Sequence, residues 1–237
     1  MIQMIPKRRS CRSYTKEAVN EALLEKIRSF QMKPLYPEIA VEFRIVTKDQ
    51  VENPCPFATE QLIAIYSEKK DGYLENVGFM FQQMDLFIQS LGLGVCWLGM
   101  GKPDPEAKQM IPGLDYVIAL AIGYPTGDMT RKNIAEFNRV SLAEIADRED
   151  ERLEPARLAP SSCNSQPWHF VHTEEAVRVY WDQKGLQTRA IFEYFNPIDI
   201  GICLAHLYLT NPETFRFFKE ESTDEIPGHV YMGSFTL

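Results

Sequence analysis

Ala159-Pro160-Ser161-Ser162-Cys163-Asn164-Ser165-Gln166-Pro167-Trp168-His169-Phe170 is the stretch on which the reading of this chain turns. A helix-compatible segment, Leu153 to Leu158, leads into it, and a strand-like run, Trp168 to Val171, leads out. Between them, two prolines, three serines and an asparagine make a tight polar loop. Such a loop gathers hydroxyls, an amide and free backbone N–H groups, which suit an oxyanion or the edge of a heterocycle. By chemistry alone it serves equally well as a helix-to-strand turn with a Ser cap.

The chain of 237 residues is long enough for one large domain or two small ones. Hydrophobic residues make up 45% and charged residues 24%, an ordinary globular balance with enough apolar material for a core. A net charge of −8 argues against a nucleic-acid surface. No apolar run approaches the ~20 residues that span a bilayer. The segment from Met1 to Arg9 has no apolar stretch of signal-peptide length, so the chain is expected in the cytoplasm. The five cysteines show no CxxC pair and read as free, mostly structural thiols.

Arg8-Arg9-Ser10-Cys11-Arg12 comes early. Three arginines around a serine in an acidic protein form either a concentrated anion site or a solvated basic arm. A helix is expected from about Glu17 to Phe30, with Val19, Leu23, Leu24 and Ile27 on one face. Strands are expected at Val41 to Thr47 and Gln61 to Ser67. A long helix from about Tyr73 to Leu91 is apolar nearly all round and therefore central.

Gly92-Leu93-Gly94-Val95-Cys96-Trp97-Leu98-Gly99 follows that helix and lacks the third glycine of a dinucleotide fingerprint, so a Rossmann reading fails. Gly92 or Gly94 fits a helix C-cap. Asp115 to Pro125 reads as a buried strand ending in a turn. The charge run Ala146 to Arg152 marks a boundary between halves, 1–148 and 149–237. The second half shows strands at Trp168 to Thr173 and Val177 to Asp182, a helix from about Pro197 to Leu209, and a last strand from His229 to Leu237. His169 and His172 fall on opposite faces of a strand, which prevents joint metal binding. His206, on the apolar late helix, reads as a satisfied core histidine. Ser161 and Ser162 lack a GxSxG elbow, which disfavours a serine hydrolase.

The loop resembles the Ala-Pro-Ser-x-x-Asn-x-Gln-Pro-Trp signature of the FMN-dependent nitroreductase family. Ala159, Pro160, Ser161, Asn164, Gln166, Pro167 and Trp168 match it. Arg8, Ser10 and Arg12 match that family's Arg-x-Ser-x-Arg/Lys element, with Arg9 at the variable position. The resemblance implies an α+β fold of mostly antiparallel sheets flanked by helices. It implies that Arg8, Arg9, Ser10 and Arg12 hold FMN, and that the backbone of Leu98 and Gly99 faces the flavin ring. Arg139 would return to the phosphate, and Pro160, Ser161, Ser162, Asn164 and Gln166 would reach the cofactor from the other side. Where the family has a second basic residue two positions before Arg139, this chain has Phe137, and Arg131 or Lys132 would have to substitute.

In the family the Ala-Pro-Ser loop comes early, whereas here it lies past the middle. Asn76-Val77-Gly78 and Asp199-Ile200-Gly201 open similar apolar runs. The arginine element and the Gly-Leu-Gly–Trp segment occur only in the first half, and the loop only in the second. The chain therefore resembles an intertwined homodimer fused into one polypeptide, with one FMN per chain. The implied activity is hydride transfer from NADH or NADPH through FMN to a small organic acceptor, a nitroaromatic, quinone or enone. Catalysis would need no side-chain nucleophile. FMN binding without turnover stays open, as does further dimerisation; neither a nucleic-acid nor a membrane partner is implied.

Overall fold

The computed structural model describes residues 1–57, 59–183 and 190–237. In chain order the regular elements are α1 Glu21–Ser29, β1 Val41–Thr47, β2 Val51–Glu52, β3 Gln61–Ser67, α2 Tyr73–Ser90, β4 Gly94–Leu98, β5 Lys102–Pro103, α3 Pro105–Lys108 and β6 Asp115–Gly123. They continue with α4 Leu142–Ile145, α5 Glu154–Arg157, β7 Trp168–His172, β8 Val177–Asp182, α6 Ala190–Thr210, β9 Arg216–Phe218 and β10 His229–Thr236.

Two four-stranded sheets organise these elements, in the orders β1-β3-β6-β4 and β7-β8-β10-β9. Every pairing within them is antiparallel. The two orders are the same topology. In each half a strand pair leads into a long helix, and two further strands follow, the later of which inserts beside the second strand. The α+β fold with two related halves is therefore present in the hydrogen-bonding pattern. The inner strands β3 and β6 are buried along nearly their whole length, while the edge strand β1 alternates.

The long helices α2 and α6 pack on each other within one apolar cluster that draws residues from both halves. Their crossing is fixed by two glycines. An added Cβ at Gly78 would stand 2.0 Å from the Ile198 carbonyl oxygen, and one at Gly201 would stand 2.0 Å from that of Glu75. Each glycine thus faces the carbonyl three residues before the other, a reciprocal contact of the kind a two-fold axis generates. Backbones this close exclude any side chain.

Several boundaries depart from the sequence expectation. The first helix starts at Glu21, where the Asn20 side chain accepts from Leu23 N. Gly92, at φ 84°, ends α2, and the residues after it form β4 rather than a loop. Short strand β9 was not anticipated. The late helix begins at Ala190, so Pro197 lies inside it instead of opening it. A proline there leaves the Glu193 carbonyl without its helical donor, a cost of about 3 kcal/mol. Burial of Phe192, Phe195 and Ile198 on the same helix offsets it. The central helix α2 is also less apolar than expected. It buries Asn76, Gln82, Gln83 and Asp85, and each has a partner on another segment.

Candidate functional site

A cavity of about 230 Å³ opens where the two halves meet. Ser10 and Arg12 line it from the N-terminal segment, and Trp97, Gly99 and Met100 from the end of β4. Pro160, Ser161, Ser162 and Cys163 line it from the loop, and Phe192, Phe195, Ile198, Asp199 and Ile202 from α6. Gly99 packs closely, since a Cβ there would meet the Phe195 ring at 3.0 Å and the ring would have to give way. Burial pushes the Cys96 thiol in the wall up to about 11, against the pull of Arg8 and Arg12, which leaves it protonated and weakly nucleophilic.

The loop between α5 and β7 is held in a costly backbone shape. Cys163, Asn164 and Gln166 have φ of 52°, 57° and 49°, a region that side-chain-bearing residues avoid. Its own hydrogen bonds enforce the shape. Ser161 Oγ accepts from Gln166 N at 2.9 Å, and Gln166 Oε1 accepts from Val140 N at 2.9 Å. Asn164 Nδ2 donates to Asn138 O at 2.9 Å. Ser162 N donates to both carboxyl oxygens of Asp199, at 3.0 and 3.1 Å. Arg139 closes the turn, donating through Nε to Ala159 O at 3.0 Å and through Nη1 to Asn164 Oδ1.

The arginines differ in what they are free to do. Arg8 is buried and committed to Asp85, with Nη2 2.8 Å from Oδ2, and it donates to Ser10 Oγ at 3.2 Å. Arg9 pairs with Glu136 at 2.9 Å on the surface. Arg12 lines the cavity, and its guanidinium makes no hydrogen bond or ion pair among the described residues. Arg131 lies 4.0 Å over the Phe137 ring and Arg139 lies 5.6 Å from the same centroid. Burial, reinforced by Arg8 and by neighbouring arginines, pulls both down to about 10. Positive charge is thus concentrated beside the loop without full compensation.

A buried relay ties the cavity wall to both long helices. Trp97 Nε1 donates to Gln82 Oε1 at 3.3 Å. Gln82 Nε2 lies 3.0 Å from His206 Nε2, and His206 Nδ1 lies 2.8 Å from Pro155 O. Only the neutral Nδ1–H tautomer satisfies the whole chain, and burial pulls His206 down to about 3.

In the other half the corresponding segments pack against one another. There Lys219 follows β9 as Gly99 follows β4, and Asn76 holds Leu35 N and Tyr36 N as Asp199 holds Ser162 N. The Tyr36 and Phe217 rings meet edge-on at 5.6 Å. Lys219 Nζ lies 5.9 Å from the Phe217 ring and 5.8 Å from that of Tyr231.

A family model described as "Putative TM nitroreductase" matches residues 1–211. The chain belongs to this nitroreductase family. Among solved structures, the chain is similar to one from Thermotoga maritima, described as a putative nitroreductase, with a TM-score of 0.64 and 21% identity over 99% of this chain and 91% of that one. A nitroreductase family protein from Clostridium difficile 630 gives a TM-score of 0.48 and 19% identity over 63% of this chain and 98% of its own. A putative nitroreductase in complex with FMN from Desulfovibrio desulfuricans gives 0.45 and 19% over 63% and 96%. None of the curated proteins matches the chain.

In this nitroreductase-family chain the structure brings Ser10, Arg12, Gly99, Pro160, Ser161 and Ser162 to one cavity. Leu98 is buried in β4 just behind it. Arg139, Asn164 and Gln166 shape the loop from behind, and Arg8 and Arg9 are engaged by carboxylates. Between Arg131 and Lys132, it is Arg131 that comes to Phe137. Asp199 and Phe195 were not anticipated as site residues. The signal for Asp199 is a single carboxylate in the apolar run Ile198-Asp199-Ile200-Gly201-Ile202.

Proposed function

We propose that this chain is an FMN-dependent oxidoreductase that transfers a hydride from NADH or NADPH to a small organic acceptor, with one FMN per chain. The observation that carries the reading is Arg12: a guanidinium without a partner among the described residues, at a cavity that also offers aromatic and aliphatic walls and the hydroxyls of Ser10, Ser161 and Ser162. That donor set fits a planar heterocycle bearing a phosphate. FMN, when bound, would supply the two-electron chemistry.

The chain's own residues then divide the work. Arg12 and Ser10 offer charge and a hydroxyl to the cofactor's anionic and polar groups. Arg131 and Arg139 add field from behind the loop. Trp97, Ile118 and Phe195 exclude water, and Gly99 leaves room for a ring to approach backbone. Packing of Tyr36, Phe217 and Lys219 on the corresponding segments of the other half supports a single site in a fused pseudo-dimer, with the first site elements on 1–148 and the loop on 149–237. The test is to titrate FMN into the purified protein and then add NADH or NADPH without oxygen. Bound flavin bleached by the nucleotide supports the reading. Bound flavin that no nucleotide reduces refutes the oxidoreductase assignment while leaving a flavin-binding protein.

A further inference from the structure

Asp199 is 2% exposed at the cavity wall, and among the described residues no arginine, lysine or histidine pairs with it. Its contacts are to Ser162, whose N–H it accepts at 3.0 and 3.1 Å and whose Oγ lies 3.4 Å from Oδ1. A carboxylate buried without a cation is disfavoured, and burial pushes Asp199 well above the usual carboxylate range. The other half supplies a comparison. Asn76 stands two residues before Gly78, as Asp199 stands two before Gly201. The Asn76 amide holds its own loop through Leu35 N at 2.8 Å and Tyr36 N at 2.9 Å. Holding a loop thus needs only an amide, and a carboxyl stands where the cavity is open. The other titratable groups around the cavity are Arg12, Cys55, Cys96 and Cys163, with Cys203 one turn along α6. Burial keeps Cys96 and Cys203 protonated.

We propose that Asp199 is the acid of this cavity, supplying through Ser162 the proton that a substrate takes up as it is reduced there. This rests on the oxidoreductase reading above. A quinone or enone that receives a hydride gains negative charge on oxygen. The Ser162 O–H bond breaks towards that oxygen, and the Asp199 O–H bond breaks towards Ser162 Oγ. The carboxylate left behind takes a proton from water once product leaves. Electrons come from the reduced nicotinamide nucleotide by way of the flavin; Asp199 and Ser162 move protons only.

The test uses the flavin-loaded protein, reduced by NADH without oxygen and then reoxidised by a quinone or by ferricyanide, which accepts electrons without taking a proton. Asp199→Asn and Ser162→Ala are expected to slow quinone reoxidation at least about tenfold more than ferricyanide reoxidation. Equal slowing with both acceptors would reveal a merely structural role, and no slowing with quinone would remove the proton path; either overturns the proposal. Infrared spectroscopy of the flavin-free protein provides a readout independent of turnover. A protonated-carboxyl band at neutral pH, lost in Asp199→Asn, is expected, and its absence from the wild type overturns the proposal. A protein that shows the band but takes up no FMN sinks the oxidoreductase reading, and proton delivery with it, while Asp199 still stands as a buried acid.

Discussion

Gly78 and Gly201 are reciprocal: each lies against the carbonyl three residues before the other, at a distance that leaves no room for a methyl group. The contact is made by backbone on both sides, so neither partner can rotate away. Gly78→Ala and Gly201→Ala should each destabilise the fold by about 3 kcal/mol or more, at the upper end of overpacking effects. Urea unfolding would show this as a lowered midpoint. Alanine at Gly127, whose Cβ would meet nothing within 4 Å, serves as the control.

Arg8 and Asp85 form a buried pair with side-chain exposures of 4% and 0%. Removing one partner strands the other charge in the interior. Asp85→Ala should therefore cost about 3–5 kcal/mol of stability. Arg9→Ala breaks a half-exposed pair and should cost less than about 1 kcal/mol. Thermal or urea unfolding of the two variants separates these roles.

Arg12 has the opposite character, with its charge unspent in the folded protein. Arg12→Ala should leave the unfolding midpoint nearly unchanged while weakening FMN binding by about 1.5–3 kcal/mol. Fluorescence titration of FMN measures the loss. Wild-type affinity in the variant would remove Arg12 from the cofactor site.

His206 sets a pH dependence. Its pKa falls from an ordinary 6.5 to about 3 in the fold, so between these values the unfolded chain binds a proton that the folded chain does not. Stability from this group is complete above pH 6.5 and is lost progressively as pH falls towards about 3. His206→Gln removes that titration. The drop in urea midpoint between about pH 7 and about pH 5 should be smaller in the variant than in the wild type.

The sequence exposed some of these features better than others. β1, β3 and β8 appear where their apolar and β-branched runs place them, because their patterning is local. β4 and β9 are short and owe their form to pairing with β6 and β10, which no local pattern encodes. Pro197 misled the start of α6 because a proline's fit to a first helical turn is a local preference, while burial of Phe192 and Phe195 is a tertiary one. In the candidate site, motif matching pointed to Arg12, Ser161 and Ser162, which line one cavity in the fold. It could not tell that Arg8 is spent on Asp85, since that partner lies 77 residues away. Asp199 escaped because its meaning lies in what surrounds it, an apolar helix face and a cavity.

The most direct test of the account is the flavin stoichiometry of the purified chain, read from its visible absorption after saturation with FMN and removal of excess. One equivalent per chain is predicted, since in the other half Tyr36, Phe217 and Lys219 pack together on the segments that correspond to the cavity wall. Two equivalents would contradict the single site in a fused pseudo-dimer, and a protein that stays colourless would contradict the cofactor itself.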